Sequence, residues 1–306
     1  MDSSMRWCRA AECARNFRAC LCCTVLEVLR VAFKNNADLT AAERVALARV
    51  SQRPGVEEYV DALFENVFEQ RGDRAFSDDP AIMCAIATFH GRPVTVVGHR
   101  KGSTIEQRMA FNFGMPSPEG YRKAQRAMRA AEKFARPIIT FVDTPGAYPG
   151  LEAEEHGQGE AIARSIELMS ALKVPVVCVI CGEGGSGGAL ALAVGNRVLM
   201  LENSVYSVLS PEGFASILWK DASRSEEACE VMKLTAQDLL DLQVIDAVIP
   251  EPAGGAHEDP QTVFQTVDAY LARALDELAG MTGAALARER YAKFRAMGTR
   301  AQRRCR

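Results

Sequence analysis

Between residues 182 and 188 the chain reads Gly182-Glu183-Gly184-Gly185-Ser186-Gly187-Gly188, followed by Ala189-Leu190. Glycines let backbone N–H groups crowd toward one point, and a helix N-terminus adds unpaired donors with positive potential. Such a junction holds an anion, and three chemistries compete for it. A dinucleotide reading takes Gly182, Gly184 and Gly187 as GxGxxG with Glu202 as the ribose partner, yet the helix before Gly195-Asn196 is short for that unit. A phosphate P-loop is excluded, because no Lys-Ser/Thr pair follows the last glycine. A serine-hydrolase reading takes Gly184-x-Ser186-x-Gly188 as a nucleophile elbow, with Asp246 and His257 downstream in the right order. Against it, a serine among glycines also suits a tight turn, and His257 lies in the loop Gly254-Gly255-Ala256-His257 with no sign of reaching the glycine run. The third reading is an oxyanion hole, in which the amides near Gly187 and Gly188 donate to a developing negative oxygen. It asks for no acid, base or metal from side chains. The four histidines (His90, His99, His156 and His257) are scattered and lack metal-ligand spacing.

A second small-residue loop, Asp143-Thr144-Pro145-Gly146-Ala147-Tyr148-Pro149-Gly150, ends the preceding apolar strand just as the glycine run ends the next. Loops at the carboxyl ends of neighbouring strands are where an open α/β sheet keeps its site, so Gly146 and Ala147 can bring further amides to the same place. The prolines there are ordinary turn chemistry.

These loops need a sheet behind them. Residues 137–142, 174–181, 197–201, 205–208 and 244–249 read as strands, near-continuous apolar runs of a sheet covered on both faces. Before them, 81–89 and 94–97 form a hairpin around His90-Gly91-Arg92-Pro93. Helices are expected at 118–135, after Ser117 as N-cap, and at 157–172, 188–194 and 211–219. Two more close the chain, 259–278 with Asp259 as N-cap and 283–296. Near the start, Thr40 caps a short helix with Glu43 three residues on. A second helix after Pro54-Gly55 carries Val60, Leu63, Phe64, Val67 and Phe68 as one buried stripe. Asn196, just beyond the short glycine-rich helix, reads as a neutral position. Three segments result: a basic, Cys-rich, poorly ordered extension over 1–38, a main domain over 39–256, and a C-terminal helical segment with a basic tail over 257–306.

Composition narrows the class. Lys and Arg number 36 against 39 Asp and Glu, a net charge of −3, which offers no global basic field for nucleic acid. No apolar run reaches the ~20 residues of a membrane helix, since Glu27 and Arg30 break the stretch from Leu21 to Phe33. Five of the ten cysteines crowd into the first 23 residues. Cys84, Cys178 and Cys181 lie in apolar runs, where a thiol behaves as a small hydrophobe. That usage suits a reducing cytoplasm, and the Cys20 to Cys23 spacing lacks the second ligand pair of a zinc site.

Together these residues resemble the alpha subunit of the carboxyltransferase of multi-subunit acetyl-CoA carboxylase, a crotonase-superfamily family. The likeness also runs through Gly72-Asp73-Arg74, His99-Arg100-Lys101-Gly102, Asn112-Phe113-Gly114-Met115-Pro116 and Pro118-Glu119-Gly120-Tyr121-Arg122-Lys123-Ala124. It continues through residues 157–164, 207–213, 216–220 and 249–257, in order over about 39–297. The resemblance implies an α/β, crotonase-like (ClpP/crotonase) spiral of ββα units with N- and C-terminal helices. It implies an α2β2 heterotetramer with a beta subunit, served by biotin carboxyl carrier protein and biotin carboxylase, in the first committed step of fatty-acid synthesis. The carboxyl group passes from carboxybiotin, held on the carrier and not on this chain, to acetyl-CoA to give malonyl-CoA. By motif position Gly187 and Gly188 supply the oxyanion-hole amides, Gly146 and Ala147 flank them, and Gly184, Gly185, Ala189 and Tyr148 line a biotin pocket. The resemblance places no metal, nucleic acid or membrane on this chain. The chain departs from the family pattern at Ser103-Thr104-Ile105-Glu106-Gln107 and Phe111, where basic residues are usual, and at His156, where Arg is common.

Overall fold

A computed structural model describes residues 35–298. The expectations for the Cys20 to Cys23 spacing, the apolar stretch from Leu21 and the arginine-rich tail lie outside the described residues. Ordered contacts begin early: Asn36 is buried, with its side-chain amide on Glu202 Oε2 at 2.9 Å and its carbonyl accepting from Arg44.

Helix α1 (Ala41–Ala48) opens with the expected capping box, in which the Thr40 hydroxyl accepts from Glu43 N–H and the Glu43 carboxylate from Thr40 N–H. Helix α2 (Val56–Leu63) stops where the sequence periodicity does not. Phe64 turns extended and enters the core against Phe89 and Phe141, at ring separations of 5.4 and 6.3 Å. The next residues form strand β1 (Glu65–Glu69), antiparallel to β2 (Ile82–Phe89). Val67 and Phe68, expected on the buried stripe, are therefore exposed on an edge strand. Packing of Phe64 outweighs the helical period.

Strands β2 and β3 (Arg92–His99) form the expected hairpin. Its two-residue turn, His90-Gly91, has φ of +46° and +76°, the pair of left-handed residues that matches strand twist. After α3 (Ile105–Ala110) comes α4 (Pro118–Lys133). Ser117 sits at its N-cap, but the hydroxyl makes no cap; its amide donates to Asp79 Oδ2 at 2.8 Å. The chain then alternates through β4 (Ile138–Thr144), α5 (Leu151–Glu155), α6 (Gln158–Ala171), β5 (Val176–Gly185), α7 (Ser186–Leu190), β6 (Arg197–Leu201) and β7 (Val205–Ser207). Helices α8 (Pro211–Trp219), α9 (Ser225–Met232) and α10 (Ala236–Asp241) precede β8 (Ala247–Ile249), and α11 (Pro260–Ala279) and α12 (Gly283–Ala296) close it. Helices α3, α5, α9 and α10, all short, are not among those expected from the sequence.

The sheet runs β1-β2-β3-β4-β5-β6-β8, antiparallel through β3 and parallel beyond. Alternate residues of β5 face opposite cores: Val177, Val179 and Cys181 meet α11, while Val176, Cys178 and Ile180 meet α4 and α6. Both faces are covered, which is why the parallel strands read as unbroken apolar runs. Among the described residues no helix is long and apolar enough to cross a membrane.

Strand β5 divides between two partners. The first half of β5 pairs with β6, but Glu183, Gly184 and Gly185 pair with β7 instead. The strand thus continues four residues past Cys181, where the sequence reading ended it, and carries the first glycines with it as strand.

Candidate active site

At the end of β4 the register shifts between Val142 and Thr144. The Thr144 hydroxyl then accepts from Gly146 N–H at 3.0 Å and donates to Gly146 O at 2.7 Å, closing a tight turn. The end of β5 lies directly upon this turn. A side chain at Gly185 would collide with the Pro145 carbonyl. At Gly188 a Cβ would stand 2.6 Å from the Gly146 carbonyl carbon and 2.7 Å from Ala147 N, closer than real Cβ atoms come. Ser186 takes φ of +53° and turns the strand into α7. The result is two strand-end loops in main-chain contact. It sets the Ala147 amide beside the first turn of α7, whose N–H groups have no intrahelical partner.

A charge network braces the loops. Lys101 Nζ donates to Asp143 Oδ1 and Glu183 Oε2, both at 2.9 Å, and Arg49 Nε reaches Glu183 Oε1 at 2.7 Å. Glu183 N–H also donates to Asp143 Oδ1 at 2.9 Å. Burial opposes the charge on Lys101, but Asp143 and Glu183 outweigh it and hold the ammonium above its ordinary pKa. Burial likewise opposes charge on Glu183, and Lys101 with Arg49 outweighs it, holding that carboxyl below its ordinary value. These groups neutralise one another and hold three strand ends together. His99, wholly buried against the main chain of Phe141 and Gly188, is pushed down to about 3 by burial and stays neutral.

Beside Ser186 and Gly187 opens a cavity of about 370 Å³, walled by Leu190, Tyr206, Phe294 and Met297 among other uncharged residues. The Tyr206 ring lies on Gly184, where a Cβ would meet it at 2.8 Å.

Of the residues singled out in the sequence, Gly185, Gly187, Gly188, Gly146 and Ala147 come together. Gly146 does so with its amide already bonded to Thr144. Gly184 supports Tyr206. Ala189, within α7, is fully buried in the core, and Tyr148 lines a separate depression with Glu119 and His156, so neither faces the cavity. The hydrolase alternative fails on geometry. Asp246 bonds Val198 N–H and Lys293, His257 contacts Glu258, and neither residue partners the other or Ser186. Glu202, the ribose candidate, is occupied by Asn36 and by Glu251 N–H. Asn196 is far from neutral: it is buried, and its amide bonds Val176 N–H, Leu286 O, Glu289 and Arg290. The sequence reading missed Lys101, Asp143 and Glu183 as a unit, and Tyr206, Phe294 and Met297 as walls. Strand-end position was the only signal for the first three.

The fold, with its glycine-built strand ends, is crotonase-like. The transcarboxylase 12S hexamer core superposes with a TM-score of 0.62 at 19% identity, covering 76% of this chain and 43% of that one. A Pseudomonas malonate decarboxylase hetero-dimer gives 0.58 at 18% identity, covering 74% and 92%. More specifically, the chain belongs to the acetyl co-enzyme A carboxylase carboxyltransferase-like family, whose model matches residues 26–298. Relatives named acetyl-coenzyme A carboxylase carboxyl transferase subunit alpha include that of Geobacillus thermodenitrificans, 56% identical over 86% of this chain and 81% of the relative. That of Thermus thermophilus is 54% identical over 87% and 84%, and that of Clostridium acetobutylicum 55% over 87% and 97%.

Proposed function

We propose that this chain is the alpha half of a cytoplasmic acetyl-CoA carboxyltransferase, active in a complex with a beta subunit. Biotin carboxylase would carboxylate the biotin held on the biotin carboxyl carrier protein, and this complex would pass the carboxyl group to acetyl-CoA, giving malonyl-CoA. The observation that carries this reading is the main-chain contact of Gly188 with the Gly146–Ala147 peptide, in a chain so similar to named alpha subunits.

Biotin fits the residues present. Gly146 has open space where a Cβ would stand, Gly187 has only Ile162 at 3.4 Å, and the adjoining cavity is walled largely by carbon. A small ring system with one polar oxygen suits such a place. Carboxybiotin bound there supplies the carboxyl group. The chain's part is to hold negative charge on the ureido oxygen: the Gly187 and Gly188 N–H groups donate to it, with Ala147 N–H alongside. Gly146, its amide spent on Thr144, gives shape and room. Preorganised donors of this kind act without reorienting, and losing one raises a barrier by about 3–4 kcal/mol. Lys101, Asp143 and Glu183 keep the two loops in register. No side chain here is placed as a general base, which suits a reaction whose proton acceptor comes with the substrate.

The test is co-purification with a beta subunit, followed by malonyl-CoA decarboxylation with and without biotin. The chain alone should be inactive, and the complex active in a biotin-dependent way. Robust transfer by the chain alone, or an assembled complex without biotin-dependent activity, would overturn the reading.

A further inference from the structure

The C-terminal helix is anchored with unusual firmness for a surface element. Arg290 is wholly buried, and its guanidinium donates to the carbonyls of Met169 at 2.7 Å, Leu172 at 2.9 Å and Val174 at 3.1 Å, and to Asn196 Oδ1 at 2.6 Å. Asn196 in turn donates to Leu286 O at 3.0 Å and Glu289 Oε2 at 2.6 Å. Lys293 Nζ adds bonds to the carbonyls of Gly195 and Asn196, both at 3.2 Å. These contacts fix α12 one turn before Phe294, so Phe294 and then Met297 reach the cavity beside Ser186 and Gly187 from a rigid base.

The lining decides what can enter. One end is Ser186 and Gly187; apart from Tyr206 and Ser207 the other lining residues are apolar, and none is Lys, Arg, Asp or Glu. A phosphate or a nucleotide finds no cation there. A neutral ring compound, polar at one edge and apolar elsewhere, finds both halves of its surface matched, and ~370 Å³ lies at the lower end of the roughly 300–1,000 Å³ usual for small-molecule sites.

We propose that Phe294 and Met297, at the end of α12, form the wall against which the apolar ring of biotin packs while its oxygen meets the α7 amides, making them specificity-determining residues of the transfer site. This rests on the proposed function.

The experiment uses the full chain assembled with its beta subunit. Binding of biotin methyl ester is followed by saturation-transfer NMR, and KM for free biotin by malonyl-CoA decarboxylation. Phe294→Ala should weaken binding and raise KM about tenfold, the scale of lost apolar contact in a pocket, with kcat within about twofold. Met297→Ala and Phe294→Leu, milder changes in case the first disturbs packing, should each give about threefold. Tyr291→Ala, on an exposed part of the same helix, should change neither. Unchanged binding and KM in assembled Met297→Ala and Phe294→Leu complexes would overturn the wall, while biotin-dependent wild-type activity would leave the site reading standing. A wild-type complex that neither binds biotin nor transfers would sink both.

Discussion

The two ends of β5 are held by opposite means. At its carboxyl end, Gly185 and Gly188 have no side chain, so the main chain of one loop can rest on that of another, and Lys101 braces the contact from the side. At its amino end, side chains reach across the fold: Val176 N–H donates to Asn196 Oδ1, and Arg290 donates to that same oxygen and to the Val174 carbonyl of the loop that precedes the strand. One end is built by removing atoms, so that main chain meets main chain; the other adds polar atoms and leaves almost none unpaired. The first is fit for chemistry and the second for anchorage. A substitution should therefore hurt activity at one end and stability at the other.

The largest stability effect is expected at the anchored end. Arg290→Ala strips the donor from four acceptors at once, and each orphaned buried group costs about 1–3 kcal/mol, so urea unfolding should show a loss of about 3–5 kcal/mol. A loss below 1 kcal/mol would break the contrast. Asn196→Ala comes next, at about 2–3 kcal/mol, because it unpairs Val176 N–H and one guanidinium arm. The sequence alone had suggested a mild change there.

Glu183→Gln sharpens the comparison through pH. The native carboxyl sits below its ordinary value because Lys101 and Arg49 outweigh burial. Its contribution is thus present above the unfolded pKa of about 4.3 and is lost as pH falls through the lower native value. The stability gap between wild type and Glu183→Gln should be full at pH 7 and shrink below about pH 4; a gap independent of pH would contradict the ion-pair account. Ser186→Ala should have the smallest effect. Kinetics in the assembled complex should stay within about threefold of wild type, and a fluorophosphonate should not label the chain, since no histidine partners the hydroxyl.

The close approach of the two glycine loops was largely legible in the sequence because glycine is its own signal. Runs at Gly146 and at Gly182 to Gly188 announce close backbone approach by residue type alone. Local chemistry was legible too: the Thr40 capping box, the Asp259 cap and the boundaries of α8 and α12 all fall where side-chain spacing puts them. What failed to show were contacts between distant residues. Arg290 and Asn196 are 94 residues apart, Lys101 and Glu183 are 82 apart, and nothing in either neighbourhood names its partner. The end of α2 was lost for a related reason, since Phe64 leaves the helix for aromatic neighbours that only the folded sheet provides.

The central claim, that main-chain amides at the carboxyl end of β5 hold the oxyanion, is tested most directly by kcat for carboxyl transfer in two variants of the assembled complex. Gly187→Ala places its Cβ 3.4 Å from Ile162, an ordinary contact, and should keep kcat within about fivefold of wild type, since the amide remains. Gly188→Ala drives its Cβ into the Gly146–Ala147 peptide, displacing the donors, and should lower kcat by about 10²–10³, the scale of losing one oxyanion donor. Sedimentation should show both variants assembled. A Gly188→Ala complex that assembles and turns over at nearly the wild-type rate would contradict the account.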